Sequence, residues 1–287
     1  MENWDDLRFF LAVAETGAVT AAATELGVNH STVSRRIGAL EAAADVRLFD
    51  RAPEGYVLTQ AGLALLERAK PLSGAFHEVS RTLAAHSPTI AGELSVTAPQ
   101  AAMVHVVMPM LRGFRRQYPE IRLKLVASDD VSNLRRRETD VAIRACNGPD
   151  ESLVGRKLCA QKTAVYADRD YWARLDGEDP AWISPSLRPQ IPEWAKRTYP
   201  NMRAGVCVNG KLETFEAVRA GLGVARLPCR LGGSADNLVR VPPDEPGADL
   251  DIWLLMHASL QSAPRVRAFA DFIYEAFKTE APLFEGR

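Results

Sequence analysis

Apolar residues over roughly the first eighty positions recur at helical rather than strand spacing. Val33, Ile37 and Leu40 fall at i, i+4 and i+7, Ala and Leu dominate, and no strand-like alternation appears before Arg47. A compact helical head is expected. Leu48 and Phe49 then face Tyr56, Val57 and Leu58 across Ala52-Pro53-Glu54-Gly55, which predicts a short hairpin over 48–58. From Thr59, a residue type suited to an N-cap, the pattern turns helical again. Leu65, Ala69, Leu72, Phe76, Val79 and Leu83 are spaced 4, 3, 4, 3 and 4, a heptad seam. The seam predicts a helix over 62–84, about 35 Å long at ~1.5 Å per residue, that pairs with a second copy of the chain. The alternative is a helix lying on its own domain. Pro71 interrupts the pattern and predicts a kink.

His86-Ser87-Pro88-Thr89-Ile90-Ala91-Gly92 reads as a linker. Beyond it, short β-runs at 94–98, 121–128, 140–144, 163–167, 204–208, 224–227 and 251–256 alternate with amphipathic helices, the signature of a parallel α/β sheet. One helix carries Val107, Leu111, Phe114 and Tyr118 and another spans 212–220. A last one, 263–278, places Val266, Phe269, Ile273 and Ala276 on one face, with Phe272 adding width.

Composition narrows the classes. With 287 residues, 47% hydrophobic and 25% charged, the chain is an ordinary globular protein of about two domains. No window approaches the ~20 apolar residues of a membrane span, and the start Met1-Glu2-Asn3-Trp4-Asp5-Asp6 is acidic where a secretion signal needs basic residues, so a cytoplasmic location is expected. Cys146, Cys159, Cys207 and Cys229 form no CxxC pair and are expected to be reduced, mostly buried thiols. The formal net charge of −1 gives no global attraction to polyanions, so any nucleic-acid site must be a local patch. The head itself is net acidic, with 7 basic against 10 acidic residues over 1–70. Phosphate attraction falls off over a Debye length of ~8–10 Å, so what matters is that Arg35, Arg36 and Arg51 can share one face while the acids lie elsewhere; weak non-specific binding and dependence on dimerisation are expected.

Residues 20–40 have the grammar of a helix-turn-helix: Thr20 opening a small-residue run, Ala23 allowing close approach, Leu26 before the turn, Gly27 tolerating positive φ, and Asn29 able to cap the next helix. With Val33, Ile37 and Leu40 turned to the core, the outer face falls to His30, Ser31, Thr32, Ser34, Arg35 and Arg36. These donors and acceptors suit major-groove base edges and phosphates, with His30, Ser31 and Thr32 as base readers. The alternative is a solvated helix face.

At these residues the head resembles the LysR-type transcriptional regulators. The resemblance rests on Leu7-Arg8-Phe9-Phe10, Ala12-Val13-Ala14-Glu15, Thr20-Ala21-Ala22-Ala23, Leu26-Gly27-Val28, the run from Ser31 to Ile37, Leu40-Glu41, Leu48-Phe49-Asp50-Arg51 and the run from Leu58 to Gly62. It continues more loosely through Gly92 to Pro99, Phe114 to Pro119, Asp140 to Arg144, Ala220 to Ala225 and the terminal helix. It implies an α/β protein with an N-terminal winged helix-turn-helix (1–60), a dimerising linker helix and hinge (61–91), and a two-lobed effector domain similar to periplasmic binding proteins. The first lobe would comprise 92–163 plus 262–287 and the second 164–261. The partners implied are double-stranded promoter DNA, a small-molecule effector, a second copy in a homodimer or homotetramer, and RNA polymerase. The chain departs from the family pattern at Ala18, where a Ser cap is usual, at Asn29-His30, where Ser-Gln is usual, and at Arg137, within Arg135-Arg136-Arg137, where Gly is common.

Ligands of open α/β sheets sit beyond the carboxyl ends of strands. Those positions here are Pro99, Gln100 and Ala101, then Ser128 and Asp129, then Arg144, and Asn209-Gly210 before a second-lobe helix. Arg144 with Gln100 and Ser128 would bind a carboxylate, unless Asp129 and Asp130 neutralise Arg144. Where the family often has Ser or Thr after the first strand, this chain has Gln100, Ala101 and Ala102. No catalytic motif, cofactor loop or metal-ligand spacing stands out: Gly221-Leu222-Gly223 is a lone GxG, and His30, His77, His86, His105 and His257 are scattered. A regulator without enzymatic activity or cofactor is expected, the alternative being a ligand-independent architectural DNA-binding protein.

Overall fold

The computed structural model describes residues 4–52, 55–85, 90–129, 139–150, 153–243 and 245–287; the side chains of Trp4, Arg51, Ala52 and 73–85 lie outside that description. The chain divides into two compact units, Met1–Arg81 and Thr82–Arg287.

The first unit packs α1 (Trp4–Thr16), α2 (Val19–Leu26) and α3 (His30–Ala44) around Leu7, Phe10, Val13, Val33, Ile37 and Leu40. Burial of each such side chain stabilises by about 1.5–3 kcal/mol. The α2–α3 turn depends on Gly27 at φ 66°, which lets Gly27 N–H and Val28 N–H reach the carbonyls of Thr24 and Ala23. The predicted hairpin is present as β1 (Phe49–Ala52) and β2 (Gly55–Leu58), antiparallel with Phe49 opposite Leu58. Glu41 pins it to α3, because its Oε1 accepts from the backbone N–H groups of Leu48 at 2.7 Å and Phe49 at 3.1 Å.

Thr59 caps α4 (Gln60–Ala85) as expected, its hydroxyl accepting from Gly62 N–H at 3.0 Å and donating to the Arg47 carbonyl at 2.8 Å. The helix runs through Pro71. The start of its heptad seam goes to the head: Ala69 is buried in the head core and Leu65 packs against it, whereas Leu72 is exposed. The reading of one continuous pairing seam is corrected for these residues, because the apolar faces of the three helices and the hairpin need a cover and the first turns of α4 supply it. Phe76, Val79 and Leu83 lie outside the described side chains.

In the second unit, β3 (Gly92–Ala98) is followed by a composite helix, α5 (residues 100–117), whose middle, Met103–Val107, is a π-turn. Then come β4 (Ile121–Ala127), β5 (Val141–Ala145) and β6 (Leu153–Cys159). The second lobe contains β7 (Lys162–Asp168), α6 (Arg169–Arg174), β8 (Ala181–Ser184), α7 (Glu193–Thr198), β9 (Arg203–Cys207), α8 (Lys211–Arg219), β10 (Val224–Pro228), α9 (Cys229–Gly232), β11 (Leu238–Val241) and β12 (Gly247–Ala248). The chain returns through β13 (Ile252–His257) and ends in α10 (Pro264–Phe284).

The sheets have the orders β4-β3-β5-β13-β6 and β11-β7-β10-β8-β9, with β12 on β7. Neither is purely parallel. β3 pairs parallel with β4 and β5, but β13 runs antiparallel to both β5 and β6, and β10 antiparallel to β7. The expected lobe boundary is likewise corrected at both crossings. β13 belongs to the first lobe because Ile252, Leu254 and Met256 alternate into that core with Ile143, Phe269 and Ile273, and β7 opens the second lobe at Lys162. β6, β8, β11 and β12 were not anticipated. β6 reads Leu-Val-Gly-Arg-Lys-Leu-Cys, with no period-2 alternation, since it lies at a sheet edge. The last helix extends to Phe284, beyond the expected 278, and buries Val266, Phe269, Ile273, Phe277 and Phe284.

Among the described residues, Cys159 and Cys229 are buried and Cys146 and Cys207 half-buried, all as free thiols. Burial pushes the Cys159 thiol up to about 12, so it stays protonated and inert. No described helix is long and apolar enough to cross a membrane.

Candidate DNA-recognition face and effector cleft

α3 sorts the candidate residues. Val33, Ile37 and Leu40 are buried, while His30, Ser31, Ser34 and Arg35 are exposed and Thr32 is half-buried. Asn29 takes the N-cap position in extended backbone and its carbonyl accepts from Thr32 N–H at 2.9 Å, but its side chain makes no cap bond. The expected side-chain cap is thus absent, and the exposed amide is left facing outward beside His30. Thr20 is exposed at the start of α2. Ala18 likewise gives no side-chain cap; the neighbouring Thr16 hydroxyl donates to the Ala12 and Ala18 carbonyls instead.

Arg36 separates from Arg35. Its Nη1 donates to Asp6 Oδ1 at 3.0 Å, and its guanidinium lies 5.9 Å from the Phe9 ring centroid. These contacts clamp α3 to α1 and draw the half-buried Arg36 toward α1, whereas Arg35 is exposed. The Arg51 side chain lies outside the described residues.

The two lobes meet along two adjoining cavities. The larger, about 500 Å³, is a cleft of mixed character in which Asp129, Arg144, Asp150, Asn209 and Lys211 stand among apolar residues such as Pro99, Leu153, Pro185 and Leu255. The smaller, about 70 Å³, lies beside it against Ala101, Ala102, Val106, Ile252, Phe277 and Phe284. Pro99, Arg144, Ala145 and Lys211 border both. Of the candidate effector residues, the fold therefore brings Pro99, Ala101, Arg144 and Asn209 to the lobe junction. Gln100 is exposed, and neither it nor Ser128 is among the residues lining the two cavities.

Arg144 is buried, and its fork is engaged by the protein: Nη1 donates to the Ser128 carbonyl at 2.5 Å and Nη2 to Thr97 Oγ1 at 3.1 Å. The guanidinium thus ties the ends of β3, β4 and β5 together. The expected alliance of Arg144, Gln100 and Ser128 on a ligand carboxylate is not the arrangement found, because Ser128 offers Arg144 its carbonyl. Asp130 and the run Arg135-Arg136-Arg137 lie outside the described residues. Lys211, Asp150, Arg230, Phe277 and Phe284 were missed as junction residues. Periodicity marks the two phenylalanines as apolar, but only the return of the chain through β13 brings α10 to the junction.

Among the described contacts that bridge the lobes, two side-chain pairs stand at the junction. Arg230 Nε donates to Glu280 Oε2 at 2.5 Å, with both side chains largely buried. His105, on the π-turn, packs edge-on against Phe215 with centroids 4.8 Å apart. Burial lowers the His105 pKa, opposed by Glu216 and reinforced by Arg219. The imidazole is therefore neutral at pH 7.

Residues 4–63 match the family model described as a bacterial regulatory helix-turn-helix protein of the lysR family, and residues 88–278 match the LysR substrate binding domain. An HTH-type transcriptional repressor of Pseudomonas aeruginosa is 28% identical over 294 residues, covering 96% of this chain and 93% of its own length. The regulator CrgA of Neisseria meningitidis is 31% identical over 172 residues, 60% of this chain and 58% of its own. Among solved structures, the full-length Vibrio cholerae virulence activator AphB superimposes with a TM-score of 0.60 at 24% identity, covering 95% of this chain and 99% of its own. CbnR in complex with its target DNA gives 0.60 at 20% identity, covering 96% and 99%. The wing-bearing head, the paired α/β lobes and these matches give one conclusion: the chain belongs to the LysR-type transcriptional regulators, with an N-terminal helix-turn-helix and a C-terminal effector-binding domain.

Proposed function

We propose that this regulator binds a dyad-symmetric promoter site as a homodimer or homotetramer in the cytoplasm, placing α3 in the major groove and taking a small effector at the lobe junction. The observation that carries the DNA reading is the division of α3, with its apolar side buried and Asn29, His30, Ser31, Ser34 and Arg35 turned outward at its N-terminal half. This is the half that touches bases in helix-turn-helix proteins. Among the described side chains Arg35 is the cation that remains on that face, and the net acidic head leaves little non-specific attraction to phosphate. Dimerisation then supplies affinity, since two half-sites bind together. RNA polymerase is the downstream partner that promoter binding implies.

A cleft of about 500 Å³ with charged groups set among apolar residues supports the sensor reading over a ligand-independent architectural role, because that size suits a small metabolite. The test is a footprint of the full-length protein on the region upstream of its own gene, with random duplex as competitor. Protection of two half-sites about one or more helical turns apart is expected. Protection that random duplex removes at equal concentration overturns the sequence-specific reading.

A further inference from the structure

The geometry points to an amphipathic effector: an apolar group of benzene-ring size seated in the chamber behind the cleft, carrying a neutral or cationic hydrogen-bonding head instead of a carboxylate. The inference rests on the effector reading given above and names the chemistry of that ligand.

The chamber is the first observation. Its wall is mostly apolar: Ala102 and Val106 from α5, Ile252 from β13, Leu231 from α9, and Phe277 and Phe284 from α10, with Gln161 and Arg230 as further polar neighbours besides the shared Arg144 and Lys211. On this measure a water needs about 10–15 Å³. A chamber of about 70 Å³ thus accepts on the order of five to seven heavy atoms. Water gains little there because few polar partners face it, whereas a ring or branched alkyl group exchanges solvent for close apolar contact. Small side chains at 101 and 102 keep the space open, and the π-turn Met103–Val107 lies in the same wall. The chamber reaches the cleft past Pro99, Arg144, Ala145 and Lys211, so one molecule can occupy both.

The cleft decides the head group. Two of its features suited to an anion, the Arg144 fork and the N-terminus of α8, are already engaged by the protein. Arg144 donates to the Ser128 carbonyl and the Thr97 hydroxyl. The N-terminus of α8 is covered by Glu213, whose carboxylate folds over the N-cap Gly210 so closely that a Cβ there would lie 1.9 Å from Oε2. Asp129 and Asp150 add two more carboxylates to the lining, and Lys211 is the one further cation among its described residues. At the Arg144 Nη atoms and at the α8 N-terminus a ligand carboxylate competes with an internal partner, and Asp129 and Asp150 in the lining add a like-charge penalty. A hydroxyl or ammonium head avoids both costs.

Benzyl alcohol, benzylamine and sodium benzoate share one ring and differ in the head, so they separate the two halves of the inference. Each is titrated into the full-length dimer bound to its promoter fragment and into the free protein, with thermal unfolding and DNA anisotropy as readouts, on wild type, Ala102→Leu and Val106→Ala. Saturable stabilisation by benzyl alcohol or benzylamine is expected, about 3–5 °C at ten times Kd, with at least tenfold weaker binding of benzoate. Ala102→Leu fills the chamber and should remove the response. Val106→Ala enlarges it and should shift preference to 2-naphthalenemethanol, a result that stands even if Ala102→Leu folds poorly. Benzoate binding more tightly than the alcohol overturns the head assignment. An unchanged response in both variants overturns the chamber. Stabilisation only by ring-free polar metabolites, equal in all three proteins, overturns this inference while leaving the effector reading intact; failure of every class in a broad metabolite panel, with DNA affinity constant throughout, overturns the effector reading itself.

Discussion

Across the lobe junction, His105 Nε2 lies 3.7 Å from Glu216 Oε1, too long for a hydrogen bond, and among the described residues that nitrogen has no hydrogen-bond partner. The imidazole comes from the π-turn of the first lobe and the carboxylate from α8 of the second. A neutral ring held against Phe215 therefore stands next to the groups that respond to its protonation, Glu216 attracting the imidazolium and Arg219 opposing it.

The pH consequence follows from the sign of the shift. The folded protein holds His105 below its ordinary 6.5, so between those two values the unfolded chain binds the extra proton. Stability from this group is complete above about pH 6.5 and is lost as pH falls toward the folded value. Thermal unfolding should thus show wild type losing more between pH 7.5 and 5.5 than His105→Leu. Equal losses would remove His105 as the source.

Arg35 and Arg36 should behave differently although adjacent. Arg35→Ala is expected to weaken operator binding several-fold with unchanged melting temperature, as for a base or phosphate contact. Arg36→Ala should lower the melting temperature, because it deprives Asp6 of its partner and uncovers Phe9. Anisotropy and thermal unfolding on both variants decide this; unchanged affinity in the Arg35 variant takes that residue off the DNA face.

Gly62 is required by contact. A Cβ there would sit 2.2 Å from the Leu48 carbonyl oxygen and 2.9 Å from a Leu58 methyl. Gly62→Ala must push the hairpin away from α4, at a cost of about 1–3 kcal/mol by analogy with overpacked cores. A helix interior would otherwise gain up to ~1 kcal/mol from Gly→Ala, so denaturant unfolding distinguishes the two by sign.

The Arg230–Glu280 pair ties α9 to α10 across the junction. Removing one partner strands a charge that is largely withdrawn from water, and Arg230→Met should cost about 1–3 kcal/mol. Adding Glu280→Leu should restore part of it, a coupling that a double-mutant cycle measures. Strict additivity would show the pair contributes nothing.

The head was legible because its signals are local. Gly27 can adopt positive φ where most residues resist it, Thr59 carries the hydroxyl a helix start needs, and the spacing of Val33, Ile37 and Leu40 assigns the inner face without knowledge of any partner. The seam of α4 was misread at Leu65 and Ala69 because heptad spacing states that a stripe will be covered, not by what. The effector positions were half legible: strand ends could be placed at Pro99, Arg144 and Asn209, but side-chain direction there depends on what else competes for it.

The sequence by itself determined the helix-turn-helix, the hairpin, the alternation of strands and helices and the family to which they belong, since each is written in periods of a few residues and in turn chemistry. Only the tertiary structure decided that β13 joins the first lobe, that Phe277 and Phe284 close a chamber against Ala102, and that Arg144 gives its hydrogen bonds to Ser128 and Thr97. These are pairings between residues far apart in the chain, and their outcome is set by which apolar faces and which buried donors find partners when the whole chain is packed.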